Sequence, residues 1–138
     1  MVGVIHPLYS LDTNICIYAM KGQPSVLRKF SQYGKESLAI SSLVAAELAF
    51  GVENSSRVEQ NKRTLEQFLH SMNVLVWSEA AIWHYAHHRK VLKEAGTPIG
   101  ELDLLIASHA LGDDLTLVTN NTREFERIGG LKLENWVA

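Results

Sequence analysis

Three carboxylates stand where a charge is costly. Asp12 closes the apolar run Leu8-Tyr9-Ser10-Leu11. Glu47 is the only charge in Leu43-Val44-Ala45-Ala46-Glu47-Leu48-Ala49-Phe50, and Asp103 interrupts the run from Leu102 to Ala107. A buried carboxylate needs a cation, a proton or an exit to solvent. Brought together, three of them either raise one another's pKa or bind a hard divalent cation, and Mg²⁺, held by carboxylates and waters, is the natural occupant. Two of the three also have a simpler reading taken singly: Asp12 as a helix N-cap, and Asp103 as an acceptor for backbone N–H groups in its helix's first turn. Glu47 lies mid-helix and has no capping work to do. The remaining acids, Asp113 and Glu134 among them, sit between polar neighbours and read as solvated.

The elements that must position these residues follow from hydrophobic period and punctuation. Leu8–Leu11, Leu38–Ile40, Val74–Val76 and Leu115–Val118 are short apolar runs of strand type, with a last strand near Leu131–Leu133. Between them lie helical stripes. Asp12-Thr13-Asn14 starts one helix, Ser41-Ser42 caps another through Phe50, and Ser78 is expected to cap a long one ending near Gly96-Thr97-Pro98. Glu101–Leu111 reads as a helix buried on most sides. Apolar strands alternating with helices predict an α/β fold, a central parallel sheet covered on both faces. In such a sheet, groups at the carboxyl ends of strands converge on one crevice. Asp12 and Thr119-Asn120-Asn121 both follow strands.

Composition narrows the class. The chain has 138 residues, 46% of them apolar, with 13 Lys plus Arg against 15 Asp plus Glu. That length supports one domain with its own core, taken as residues 8–138 after a patternless lead-in of residues 1–7. No apolar run approaches the roughly 20 residues of a membrane span, and no export signal is read. Cys16 is the single cysteine, which forbids an intrachain disulfide and fits a reducing cytosol. A net charge of −2 argues at first against a nucleic-acid binder.

Four segments occur in order: Leu11-Asp12-Thr13-Asn14; Ser41 to Gly51, containing Glu47; Pro98 to Ala110, containing Asp103; and Leu117-Val118-Thr119-Asn120-Asn121-Thr122-Arg123-Glu124-Phe125. Together they closely resemble the PIN-domain ribonucleases, in particular the VapC toxins of bacterial toxin–antitoxin pairs, from about Leu11 to Trp136. The resemblance implies a PIN-like three-layer α/β/α sandwich and an endoribonuclease dependent on Mg²⁺, with Mn²⁺ as substitute. Asp12, Glu47 and Asp103 match the family's three best-defined acidic positions. Many PIN domains carry an Asp where this chain has Asn120-Asn121. An amide oxygen can ligate a metal but adds no charge. Asn121 is therefore a candidate ligand, and Glu124, one turn on, a candidate fourth carboxylate. Thr13 and Thr119 match hydroxyl positions that orient the carboxylates, and Asn14 reads as locally structural. The resemblance further implies in-line hydrolysis leaving a 5′-phosphate and a 3′-hydroxyl, a homodimer, and a VapB-type antitoxin partner, with tRNA the guessed substrate.

Other residues carry weaker readings. His84 and His88 have the i, i+4 spacing of helical zinc ligands but no third ligand in view. Trp77, Trp83 and Trp136 read as core or interface. Two alternatives compete with the nuclease: a PIN-like module that binds RNA or protein without cutting, and a haloacid-dehalogenase-like phosphatase. The latter normally needs a second Asp where this chain has Asn14. Setting Asp12, Glu47, Asp103 and Glu124 aside leaves 13 basic against 11 acidic side chains, so net charge no longer excludes RNA.

Overall fold

The computed structural model describes residues 7–137, so all of the expected lead-in except Pro7 lies outside the described residues. The element order is β1 (Tyr9–Leu11), α1 (Thr13–Met20), α2 (Pro24–Tyr33), β2 (Leu38–Ser41), α3 (Ser42–Glu53), α4 (Val58–His70), β3 (Asn73–Leu75), α5 (Ala81–Glu94), α6 (Glu101–Gly112), β4 (Thr116–Val118), α7 (Thr122–Phe125) and β5 (Leu133–Glu134). The strands form one sheet in the order β3-β2-β1-β4-β5, every neighbouring pair parallel. Helices flank it, giving the expected α/β/α arrangement.

The three central strands are short and apolar because both faces are covered. Leu11, Leu38, Ala39, Ile40, Leu117 and Val118 are all essentially buried. The edges differ. In β3, Asn73 and Val74 are exposed, and the Asn73 side-chain amide donates to the carbonyls of Lys35 and Leu38, tying the edge strand to the segment that leads into β2.

The strand order reverses direction between β1 and β4, and this is where a doubly wound sheet opens a crevice at its carboxyl end. Leu11 pairs with Val118, and the amide of Asp12 donates to the carbonyl of Val118 at 2.9 Å. The residues that follow β1 and β4 are thereby forced together. Helix α3 leaves the end of β2 beside them, and α6 packs against α3 and α5.

One sequence expectation is corrected here. Ser78 does not cap α5, which starts at Ala81 behind Ala80 with no side-chain cap. The Ser78 hydroxyl is buried with no hydrogen-bond partner among the described residues, and α6 ends against the start of α5 so closely that a Cβ on Gly112 would lie 2.7 Å from the Ala81 nitrogen, a place that only glycine fits. No described helix is long and apolar enough to cross a membrane.

Candidate active site

Asp12 is 5% exposed and serves two roles at once. Its Oδ1 accepts from the Thr13 amide at 2.9 Å, the N-cap bond that starts α1. Its Oδ2 accepts from Thr119 Oγ1 at 2.7 Å and from the Asn14 amide at 3.5 Å. The capping and site readings of Asp12 are therefore compatible. Thr119, fully buried, also accepts from the Asn121 backbone amide at 3.0 Å. Asn14 does more than local work: its Oδ1 accepts from the Asn120 amide at 3.1 Å, tying the loop after β1 to the loop after β4.

Glu47 reaches the same place from α3, where its Oε1 accepts from Thr13 Oγ1. Glu124, on α7, is held by two donors: the Gly100 amide at 3.2 Å on Oε1 and the Asn121 side-chain amide at 2.9 Å on Oε2. The exposed Asn121 thus spends its side-chain N–H on orienting Glu124. Asp103 lies in the first turn of α6, and no donor among the described residues hydrogen-bonds its carboxylate. The loop from Pro98 to Gly100 passes beside it, with a Gly100 Cβ falling 3.5 Å from Asp103 Oδ2.

The electrostatics show that the four carboxylates share one region. Burial raises the Asp103 pKa to about 6, reinforced by repulsion from Asp12, Glu124 and Glu47. Burial also raises the pKa of Asp12, opposed by the bonds from Thr119 and Thr13 and assisted by repulsion from Glu47 and Glu124. Among the described residues, no Lys, Arg or His forms an ion pair with any of the four. A charge-deficient cluster of hard oxygen donors matches a hard dication. No three His, Cys, Asp or Glu side chains among the described residues converge closely enough to cage an ion directly. The donor set is all oxygen, the chemistry of Mg²⁺ with its retained waters, and lacks the nitrogen and sulfur ligands that zinc prefers.

Sequence reasoning missed a second constellation, which links α6 to the start of α3. His109 of α6 is 2% exposed. Its Nδ1 meets Ser41 Oγ at 2.8 Å, and its Nε2 lies 3.1 Å from Asp113 Oδ2, though off the line of a good hydrogen bond. Ser41 Oγ also accepts from the Leu43 amide as the N-cap of α3. In the tautomer that places the ring proton on Nε2, facing Asp113, the neutral ring accepts the Ser41 hydroxyl proton at Nδ1. Burial lowers the His109 pKa, with Asp113 opposing, which favours this neutral form. The chain pins α6, which carries Asp103, to the start of α3, which carries Glu47. The signal was available: a lone histidine inside Leu104–Leu111, with an acid four residues on. Asp113 and Glu134 are accordingly not simply solvated, since Glu134 accepts from the Trp136 indole at 3.0 Å.

The remaining aromatic and histidine readings divide. Trp136 is buried in a cluster with Tyr9, Phe30 and Tyr33, and the Trp77 indole donates to the Leu105 carbonyl. Trp83 is 80% exposed and belongs to no core. His84 and His87 are exposed, and burial lowers the pKa of His88, helped by His87 and His84.

Comparison with known proteins gives a consistent result. Residues 9–131 match the model of the PIN domain. The chain is 45% identical over 131 residues to Ribonuclease VapC2 of Rickettsia felis, covering 94% of this chain and 98% of that one. It is 41% identical over 128 residues to the tRNA(fMet)-specific endonuclease VapC of Shigella flexneri, covering 93% and 97%. Among solved structures, VapBC2 of Rickettsia felis bound to a promoter DNA fragment matches with a TM-score of 0.85 at 42% identity, over 94% of this chain and 98% of that one. DNA-bound VapBC from Salmonella typhimurium matches with a TM-score of 0.89 at 38% identity, with the same coverage.

Proposed function

The chain belongs to the PIN-domain family, on its VapC ribonuclease branch, and from that premise we propose that it is a metal-dependent endoribonuclease toxin neutralised by a VapB-type antitoxin. The observation that carries the chemistry is the unneutralised cluster of Asp12, Glu47, Asp103 and Glu124, two of whose pKa values are raised by burial and mutual repulsion.

Asp12, Asp103 and Glu47 would hold Mg²⁺ or Mn²⁺ together, in part through the ion's own waters, with Glu124 completing the acidic wall. When bound, the metal supplies Lewis acidity to the scissile phosphate and makes water a better nucleophile near neutral pH. The protein's own groups do the rest. Thr119 Oγ1 and the Thr13 amide each fix one oxygen of Asp12, so that carboxylate cannot swing away. Thr13 Oγ1 fixes Glu47 in the same way. Asn121 and the Gly100 amide hold Glu124, and Asn121 orients that carboxylate through its N–H while its oxygen stays available as a ligand. A carboxylate in this wall is placed to take the proton of the attacking water. Nothing in this scheme needs a Ser-His or Cys-His pair. Ser41 and His109 are buried while Asp113 is about a quarter exposed, and the chain they form ties the start of α3 to α6 and so serves position.

A tRNA substrate is supported by the name of the Shigella flexneri relative. The VapBC structures support the antitoxin partner, and a homodimer and a cytosolic location complete the reading. The deciding experiment is Mg²⁺-dependent cleavage of tRNA by purified protein, run beside Asp12→Asn. The wild type should cut and leave 5′-phosphate ends, and the variant should fall below about a hundredth of that rate with an unchanged circular dichroism spectrum. Equal, metal-dependent cutting by Asp12→Asn would remove this site from the reaction. RNA binding without cutting by the wild type would favour the non-cleaving module.

A further inference from the structure

The loop from Pro98 to Gly100 has two sides. One holds Glu124 through the Gly100 amide. The other walls a cavity of about 240 Å³ between α5 and α6, lined by Tyr85, Arg89, Lys93, Ile99, Glu101 and Leu104 among others. Glu101 and Asp103 share the first turn of α6, so this cavity and the acidic cluster are neighbours across a single loop.

The chemistry of the cavity is the reverse of the cluster's. Its walls are largely apolar. Arg89 lies over the Tyr85 ring at 5.8 Å, donates to the Tyr85 hydroxyl at 2.7 Å and sits 3.5 Å from Glu101. Lys93, exposed on the rim, pairs with no carboxylate among the described residues. Arg127 donates to the Pro98 carbonyl at 3.3 Å and likewise has no acidic partner there. Two uncompensated cations therefore border an apolar slot beside a phosphodiester-cleaving cluster. A basic peptide is repelled by that rim, and a chain of phosphates is drawn to it. A single-stranded RNA offers both halves of the complement: an unstacked base for the slot, where an aromatic ring and a guanidinium plane suit stacking, and a phosphate for the cations.

We propose that this cavity is a nucleotide subsite, taking the base of a nucleotide adjoining the scissile phosphate while Lys93 and Arg127 hold the backbone. The proposal rests on the ribonuclease reading above. It gives this chain a way to bind RNA despite a net charge of −2, because Arg127 holds the Pro98 carbonyl of the same loop whose Gly100 amide holds Glu124.

Fluorescence anisotropy with a labelled single-stranded RNA of about 12 nucleotides, in EDTA so that nothing is cut, tests it. Lys93→Glu should weaken binding about tenfold and lower the slope of log affinity against log salt by about 0.7, the share of one phosphate contact on a single strand. Ile99→Trp, which fills the slot, should weaken binding without changing that slope. Wild-type hydrolysis of bis(p-nitrophenyl) phosphate, too small to span both sites, reports on the acidic cluster alone. Unaltered affinity and salt slope in Lys93→Glu would overturn the subsite, and unaltered affinity in a folded Ile99→Trp would overturn its occupation by a base. If the wild type hydrolyses neither RNA nor the small diester, the nuclease reading fails, and the binding results still decide whether the cavity takes RNA.

Discussion

Helix α6 carries a carboxylate near each end, and the two live under opposite rules. Asp103, in the first turn, sits where the helix dipole favours an anion. Yet it has no hydrogen-bond donor among the described residues, and burial with three acidic neighbours lifts its pKa to about 6. Asp113, at the C-cap, sits where the dipole disfavours an anion, and a buried histidine lies 3.1 Å away. The end favoured by the backbone has been left in electrostatic tension, and the disfavoured end has been given a partner. A fold normally satisfies its buried polar groups. Where it leaves one in tension, a ligand is the missing partner, and Asp103 is such a place.

Swapping each charge for an amide breaks this comparison most sharply. Asp103→Asn should cut RNA cleavage at least a hundredfold, about 2.7 kcal/mol or more of transition-state stabilisation, while the protein stays folded. Asp113→Asn should leave kcat per folded molecule within about twofold and lower Tm instead. The two assays are single-turnover cleavage and thermal melting on the same preparations. An Asp113→Asn variant that is fully folded yet inactive would mean that the two ends are not separable.

The next effect concerns the pin between helices. His109→Ala removes a buried ring, leaves Ser41 Oγ without its acceptor and leaves Asp113 facing a void. The expected loss is about 3 kcal/mol from the cavity and the unmade hydrogen bond together. Urea unfolding of the metal-free protein measures it directly. A loss under about 0.5 kcal/mol would show that α3 and α6 are held by apolar packing alone.

Legibility in the sequence divided along the same line. The strands β1, β2 and β4, the caps at Asp12 and Ser41 and the burial of α6 follow from local period and capping chemistry, which a sequence carries in full. The VapC-like motifs supplied which carboxylates belong together, something residue types alone left open. What escaped depends on contacts between distant segments. Ser78 has good cap chemistry, but its hydroxyl is buried without a partner among the described residues and α5 begins at Ala81, against the end of α6. Asn121 reads as a candidate ligand through its oxygen, and the further work of its N–H on Glu124 shows only once the two side chains are seen together. Asp113, next to Asp114, reads as solvated, because its polar neighbour in sequence is nearer to the eye than the histidine one turn back.

The smallest predicted effect separates tension from damage. The Asp103 pKa is raised above its unfolded value of about 3.9, so the native state holds the extra proton more tightly than the unfolded chain does. The stability this contributes is complete below about pH 4 and is lost as pH rises through about 6. In Asp103→Asn the side chain is neutral throughout, so the loss does not occur. Without metal, the variant should therefore be more stable than the wild type at pH 8, by about 1 kcal/mol after allowing for solvent screening of a half-exposed group. The difference should vanish near pH 4. Saturating Mg²⁺ should reverse the order at pH 8, since the ion stabilises the wild type by binding its native state and finds one ligand fewer in the variant. Melting curves at the two pH values, with EDTA and with Mg²⁺, read all of this. A variant less stable than the wild type at pH 8 in EDTA would show that the Asp103 carboxylate supports the fold as Asp113 does, and the contrast between the two ends of α6 would collapse.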